Sequence, residues 1–384
     1  MVAKKLKILV FSQFYLPGYK GGGPIKTIKQ LFDCAGETLL FKLVTSDRDL
    51  GDTQPYADVR TAVWNKVGSA QVFYAQQDLI GWWKIVRIFF DERHDIIYLN
   101  SFFSVRFSFI PLLLARLFGI KVVLGPRGEF SEGALSISLK KKRVYILLYK
   151  FFCLHLKTVF QASSDFEAAD IRRVLGQNVD VQVAEDIGGI DFIEAIPARA
   201  SGMRRAVFLS RVSPKKNLLG ALSMLRAVQN PLIYHIYGPI EDLDYWGQCE
   251  TLINSLPSHI LVEYKGSLNP QDVVNTISEY DFFFMPTQGE NYGHVIAEAL
   301  CAGLPLLIAN TTPWRGLQDK KIGWDLALSD PAAFSEVIDQ LAIMPLSELL
   351  HMRETVLAWA SKKFSNRDSI DANIAMFHYT YGKK

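Results

Sequence analysis

Short apolar runs, each about as long as a buried strand, alternate with helical patterns along almost the entire chain. The first run covers residues 6–12 and precedes a helical pattern over 24–35. Continuous apolar strands that alternate with helices predict a parallel sheet covered by helices on both faces. The fold class is therefore predicted to be α/β.

The alternation begins again after residues 197–202, a segment of Pro, Ala, Arg, Ser and Gly that is typical of a linker. A chain of 384 residues is also too long for one typical hydrophobic core. We predict two Rossmann-like, doubly wound domains, 1–196 and 197–360, that face each other across a cleft. A C-terminal helix in 361–384 is predicted to pack back on the first domain.

The individual elements follow from the same pattern. The predicted strands are 6–12, 41–45, 71–74, 96–99, 121–124 and 158–161 in the first domain, and 205–209, 232–237, 260–264, 281–285 and 305–309 in the second. The principal predicted helices are 24–35, 81–90, 107–118, 140–153, 164–175, 217–228, 245–255, 270–277 and 359–381.

Composition describes an ordinary soluble globular protein, with 49% hydrophobic and 21% charged residues. The four cysteines lie far apart and match no metal-binding spacing, so they are predicted to be reduced, buried thiols of a cytosolic protein. No signal peptide is predicted. Its most apolar stretch, 102–120, is interrupted by Arg106, Pro111 and Arg116, which argues against a transmembrane helix.

The central candidate site follows the apolar run 281–285, where Pro286 and Gly289 end the strand and a helix is predicted from about Tyr292. This arrangement places Glu290 at the strand-to-helix turn and Glu298 about two turns into the helix, a rise of about 12 Å. The backbone N–H groups at the predicted helix start, which suit an anion, belong to Asn291, Tyr292, Gly293 and His294. Carboxylates on either side of an anion site suit a nucleotide-diphosphate sugar, although this spacing of two Glu is also common in ordinary helices.

Two further segments place glycines or cations at predicted helix starts. Gly22 and Gly23 precede a helix that begins at Pro24, where glycine lets the backbone approach a ligand closely; a plain flexible loop explains them equally well. Arg211 and Lys216 follow the first strand of the second domain, beside another predicted helix start. Cations there oppose the helix dipole, and a bound diphosphate would remove the conflict, whereas the alternative is a solvated basic loop.

Taken together and in this order, these pieces resemble the retaining glycosyltransferases of the GT-B fold, specifically glycosyltransferase family 4. The resemblance covers nearly the whole chain and implies that Arg211 and Lys216 bind the donor diphosphate. It further implies that Glu290 contacts the transferred sugar, that Glu298 contacts the nucleotide ribose, and that the amides after Glu290 hold sugar and phosphate. The family uses no metal, so no metal or cofactor is expected besides the nucleotide-sugar donor.

Two departures from the family pattern concern the sugar and the acceptor. Many members carry a His at the sugar pocket, after the strand predicted here at 121–124. This chain has Arg127 there, which is predicted to take the place of the His. The exchange replaces a neutral hydrogen-bond donor by a fixed cation. The family's Pro-Asn-Gly-Ile-Asp turn is replaced by residues 187–191, which keep a turn but lose two residue types.

The resemblance implies a metal-independent, retaining enzyme of the hexosyltransferase type. Its acceptor would be a glycan or a lipid-linked saccharide, and its pathway the synthesis of cell-surface polysaccharide. Two alternatives stay open: a GT-B-fold sugar-nucleotide epimerase, and a non-catalytic module that binds a glycan or a sugar nucleotide.

A basic and apolar segment at 139–152 predicts a peripheral site on the cytoplasmic face of a membrane. Residues 101–150 contain nine Lys and Arg against two Asp and Glu, and four of the cations are adjacent at 140–143. Each such cation near an anionic leaflet is worth about 1 kcal/mol. Trp82, Trp83 and Lys84 would add interfacial anchors. The alternative is a solvated basic loop before a buried helix; nucleic acid is not predicted as a partner, because no aromatic–basic RNA motif is present.

Overall fold

The computed structural model describes residues 5–136, 139–188, 191–198 and 202–383. They form two compact units: unit 1 consists of Met1–Ile187 and Arg367–Lys384, and unit 2 of Gly188–Asn366. The division after Ile187 precedes the boundary predicted after residue 196. Half of the predicted linker, residues 199–201, lies outside the described residues, as do two residues of the predicted 187–191 turn.

Unit 1 is built on an eight-stranded sheet with the order β3-β4-β2-β1-β5-β6-β7-β8. All neighbouring strands are parallel except β3, which is antiparallel to β4 and forms one edge. The strands are β1 (Lys7–Phe11), β2 (Leu40–Ser46), β3 (Trp64–Val67), β4 (Ala70–Ala75), β5 (Ile96–Leu99), β6 (Lys121–Leu124), β7 (Thr158–Ala162) and β8 (Asp180–Val183).

Helices cover both faces of this sheet. One apolar core lies under α2, α3, α5 and α6, and a second lies under α1 and α13. The helices are α1 (Gly23–Ala35), α2 (Leu79–Asp91), α3 (Ile110–Leu117, preceded by a π-helical turn Val105–Phe109), α4 (Glu132–Ser136), α5 (Leu139–Phe151), α6 (Asp165–Leu175) and α13 (Asp368–Gly382).

Unit 2 has a six-stranded parallel sheet with the order β11-β10-β9-β12-β13-β14. Its strands are β9 (Arg204–Leu209), β10 (Leu232–Tyr237), β11 (Ile260–Gly266), β12 (Phe282–Met285), β13 (Leu306–Ala309) and β14 (Gly323–Leu326). Its helices are α7 (Leu218–Leu225), α8 (Leu243–Ile253), α9 (Val273–Ile277), α10 (His294–Cys301), α11 (Pro331–Ile343) and α12 (Leu346–Ser365).

The C-terminal region contains two helices where the sequence predicts one. The helix predicted at 359–381 is interrupted because Asn366 has an extended backbone (φ −69°, ψ 133°), so α12 ends at Ser365 within unit 2. A new helix, α13, begins at Asp368 and packs against α1 and β6 in unit 1. Phe377 of α13 is fully buried against Phe41 and Tyr98.

Two expectations from composition concern cysteines and membrane helices. All four cysteines are free thiols, but only Cys249 and Cys301 are buried, whereas Cys34 is half-buried and Cys153 is exposed. Cys34 and Cys153 therefore correct the prediction that all four are buried. Cys153 follows Phe151 and Phe152, which are themselves exposed at 78% and 58%. Among the described residues, none of the helices combines the length and the apolar character needed to cross a membrane.

Candidate active site

The candidate site of unit 2 lies where two neighbouring parallel strands end. Strands β9 and β12 pair through Ala206 with Phe282 and Val207 with Phe283. Their carboxyl ends therefore lie side by side, and the loops that follow them carry Lys216 and Glu290. This is the edge at which ligands bind in open parallel sheets.

Lys216 and Glu290 form an ion pair, with 2.5 Å between Nζ and Oε1. Both side chains are mostly buried, at 13% and 10% exposed. Thr287 donates a second hydrogen bond to the same carboxylate from its hydroxyl, at 3.3 Å. A pair shielded in this way interacts more strongly than a surface pair, because less water screens it.

The two loops are joined to each other along their backbones. The amide of Gln288 donates to the carbonyl of Lys215 at 2.9 Å. Asn217, which has a left-handed backbone, donates from its side chain to the carbonyl of Pro286 at 2.8 Å. These bonds hold Lys216 and Glu290 in place before any ligand arrives.

The helix that carries Glu298 starts later than the sequence predicts. α10 begins at His294, because Gly293 before it has a left-handed backbone (φ 84°) in which a side chain would be strained and would press on Ile296. Glu298 is consequently only a little more than one turn into the helix, a rise of about 6 Å from His294. Asn291, Tyr292 and Gly293 belong to the turn before α10 and not to its first turn.

Aromatic packing fixes this turn. The side chain of Tyr292 is buried, and its ring centroid lies 4.9 Å from that of His294 and 5.6 Å from that of Trp314. The indole N–H of Trp314 donates to the carbonyl of Tyr292 at 2.6 Å. Sequence reasoning missed Trp314, which lies beyond β13 and gives no local signal of this contact.

Arg211 does not share the Lys216–Glu290 pair. Its guanidinium binds Glu241 at 2.7 Å, and both side chains are 45% exposed. An ion pair this exposed contributes less than about 1 kcal/mol, so a ligand can displace Glu241 at little cost.

Gly22 and Gly23 lie in unit 1 at the start of α1, which begins one residue before the predicted Pro24. Gly22 caps the helix with a left-handed backbone (φ 75°), which glycine adopts without strain. The loop before it is held by the buried carboxylate of Asp49, which accepts from the amides of Tyr19 and Lys20 at 2.8 and 3.0 Å. Asp49, which lies three residues after the end of β2, was not predicted.

Arg127 lies in a buried polar network of unit 1. Its guanidinium pairs with Asp186 at 2.5 Å, and the two side chains are only 6% and 4% exposed. It also donates to Asn100, Gln161 and the hydroxyl of Tyr98. Burial lowers the pKa of Arg127, but the charge of Asp186 outweighs this and holds the pKa above its usual range. Within unit 1 the Arg127 charge is therefore already neutralised, and its predicted role towards substrate stays a prediction.

Two buried carboxylates that the sequence did not single out hold the Arg127 loop. Glu129 accepts from the hydroxyl of Ser101 at 2.7 Å and from the amides of Phe102 and Phe103. Glu167 accepts from the amide of Gly128 at 2.7 Å. Burial raises the pKa of both carboxyl groups above their usual range. Arg127 and Gly128 both have left-handed backbones, so the loop is a constrained turn at the carboxyl edge of the sheet.

The described part of the chain contains no group of three or more His, Cys, Asp or Glu side chains arranged to hold a metal ion.

The fold is that of the GT-B glycosyltransferases, with two Rossmann-like units. A sucrose-phosphate synthase from Thermosynechococcus elongatus superposes with a TM-score of 0.73 at 14% identity, with 98% of each chain covered. HepE from Anabaena, solved with UDP and glucose, gives 0.70 at 16% identity over 98% of this chain and 100% of HepE. WaaG, a glycosyltransferase involved in lipopolysaccharide biosynthesis, gives 0.65 at 15% identity over 96% and 99%.

The sequence itself matches a family over unit 2. Residues 190–355 match Glycosyl transferases group 1, so the chain carries a group 1 glycosyltransferase domain. This domain contains Arg211, Lys216, Glu290 and Glu298. No curated protein matches the sequence.

Proposed function

We propose that this protein is a retaining glycosyltransferase of family 4 that transfers a hexose from a nucleotide-diphosphate sugar to a glycan or a lipid-linked saccharide. The observation that carries the proposal is the shielded Lys216–Glu290 pair at the carboxyl edge of the group 1 domain. HepE in complex with UDP-glucose, and a trehalose-6-phosphate synthase bound with UDP-2-fluoro glucose, support a nucleotide-sugar donor.

In the proposed reaction, the bond between the anomeric carbon and the diphosphate oxygen breaks. The nucleoside diphosphate leaves with the bonding electrons, the acceptor hydroxyl attacks the anomeric carbon on the same face, and its proton is released. Negative charge grows on the leaving oxygen as the bond breaks, so a cation beside it binds the transition state more tightly than the ground state. Lys216 and Arg211 supply such cations, and Glu290 faces the sugar, where positive charge develops.

Replacement of Lys216 by Ala tests this assignment. By analogy with the loss of one preorganised donor, the substitution should cost about 3 kcal/mol of transition-state stabilisation, a fall of about a hundredfold in kcat. The measurement is the rate at which nucleoside diphosphate is released from donor and acceptor. Lys265→Ala is the matched control, because Lys265 also pairs with a glutamate, Glu263, at 2.7 Å in the same unit. Near-unchanged turnover in Lys216→Ala would refute the role.

Transfer is expected to need no divalent metal, because Lys216 and Arg211 are proposed to neutralise the diphosphate. Enzyme dialysed against EDTA should keep its rate within about twofold, and added Mg²⁺ or Mn²⁺ should not raise it. Loss of activity in chelator with recovery on adding either ion would contradict this part of the proposal.

We also propose a division of labour in which unit 2 binds the donor and unit 1 binds the acceptor. The donor residues Arg211, Lys216, Glu290 and Glu298 all belong to unit 2. The enzyme would act in the synthesis of cell-surface polysaccharide, in the cytoplasm or at the inner face of the cell membrane. The basic surface of α5 supports the membrane-associated alternative.

A further inference from the structure

Helix α5 carries an apolar stripe on the side that faces away from the core. Val144, Leu147, Leu148 and Phe151 recur at helical spacing and are exposed, with Leu147 at 67% and Phe151 at 78%. Tyr149 is the buried side chain of this helix. A surface helix normally presents charged residues outwards, so a second apolar side needs a partner outside the unit.

The stripe continues onto the neighbouring helices. α2, α3 and α5 pack on one core of the unit 1 sheet. α2 and α3 meet through Phe90 and Phe118, whose rings lie 4.9 Å apart, and α3 reaches the segment after α5 through Arg116, which donates to the carbonyl of Leu154. Trp83 on α2 and Leu117 on α3 are exposed at 74% and 80%. Exposed apolar side chains therefore occur on all three of these helices, which cover the same face of the sheet.

The charges on these helices are almost all positive. Their sequences contain eight Lys and Arg and a single carboxylate, Asp91, which pairs with Arg87 at 3.5 Å. On α5, Lys140, Lys141 and Arg143 are exposed beside the stripe. Lys142 is turned inward: it donates to the carbonyl of Ala134 at 2.6 Å. Three of the four clustered cations are thus available to an outside partner.

We propose that α2, α3 and α5 form a membrane-docking face on which α5 lies in the plane of an anionic bilayer leaflet, with its apolar stripe inserted below the headgroups. A second copy of the chain fits less well, because like surfaces would oppose cation to cation. An anionic leaflet satisfies both the stripe and the cations. Only the role of this face rests on the proposed function: docking would bring the enzyme to a lipid-linked acceptor.

The insertion of apolar side chains distinguishes this face from a purely electrostatic patch. Salt screens the attraction of the cations but leaves apolar burial largely unaffected. High salt should therefore weaken the binding of the protein to vesicles of phosphatidylglycerol and phosphatidylcholine in equal parts, but it should not release the protein fully.

The experiment compares two sets of variants by sedimentation with these vesicles. Leu147→Asp with Phe151→Asp should abolish binding at any salt concentration. Lys140→Gln, Lys141→Gln and Arg143→Gln together should weaken binding about a hundredfold at low salt, since each cation is worth about fivefold. The matched control changes two equally exposed residues of unit 2, Leu243→Asp with Ile343→Asp, and should bind as the unmodified protein does.

Three results would overturn the docking face: no vesicle binding by the unmodified protein, unaltered binding by the Leu147 and Phe151 variant, or a dimer in solution that this variant dissociates. The rate of sugar transfer to a soluble saccharide acceptor, measured without detergent, shows whether the docking face or the proposed function has failed. The Leu147 and Phe151 variant should retain that activity, whereas Lys216→Ala should lose it and still bind vesicles.

Discussion

Glu290→Gln is expected to reduce sugar transfer by about a thousandfold while the protein stays folded. The sugar becomes positively charged as its bond to the diphosphate breaks, and a carboxylate beside it stabilises that charge where a neutral amide does not. The amide oxygen of glutamine has nearly the same position and still accepts hydrogen bonds from Lys216 and Thr287. Transfer is measured as product formed at saturating donor.

The matched control for this substitution is Glu263→Gln. Glu263 also pairs with a lysine in unit 2, but on the exposed strand β11. Its variant should retain full transfer, and both variants should melt within a few degrees of the unmodified protein. Equal activity in the two variants would show that the Lys216–Glu290 pair is structural only.

Arg127→Met is expected to destabilise unit 1 by about 3–5 kcal/mol, because it leaves the carboxylate of Asp186 buried without its cation. Among the described residues, Thr27 also donates to this carboxylate, at 3.1 Å. For a unit of this size, such a loss lowers Tm by about 10 °C. Thermal unfolding followed by circular dichroism measures the effect.

The exposed Arg87–Asp91 ion pair provides a control for the buried Arg127–Asp186 pair. Arg87 pairs with Asp91 on the surface of α2, where the two side chains are 78% and 57% exposed, so Arg87→Met should change stability by less than about 0.5 kcal/mol. If the Arg127 variant were as stable as the Arg87 variant and yet inactive, Arg127 would be a substrate-binding residue, as the sequence predicts. A loss of stability would favour its structural role.

The sequence predicted the central strands of both sheets because each is a predominantly apolar run. It missed β3, β8 and β14, and all three lie at sheet edges. An edge strand is partly solvated, so its sequence lacks the continuous apolar character of a strand buried on both faces; β8, for example, is Asp-Val-Gln-Val. Helix α11, which lies beyond the last predicted strand, was also missed.

The candidate site was predicted residue by residue but not as a set of contacts. Lys216 and Glu290 are 74 positions apart, and their pairing depends on β9 and β12 being neighbours in the sheet. Local patterns locate strands but do not give their order. The same reason applies to Arg127 and Asp186, which are 59 positions apart and follow different strands.

The two segments of unit 1 also have a consequence for the order in which the protein is made. During synthesis residues up to Ile187 emerge before unit 2, but α13, which supplies Phe377 and Asn373 to unit 1, is translated after unit 2. Asn373 accepts from the buried Gln161 at 3.0 Å, and Gln161 also contacts Arg127. Unit 2, whose residues are contiguous, can finish folding on the ribosome while unit 1 still waits for its last helix. The Arg127 network is therefore completed only after all of unit 2 has been translated.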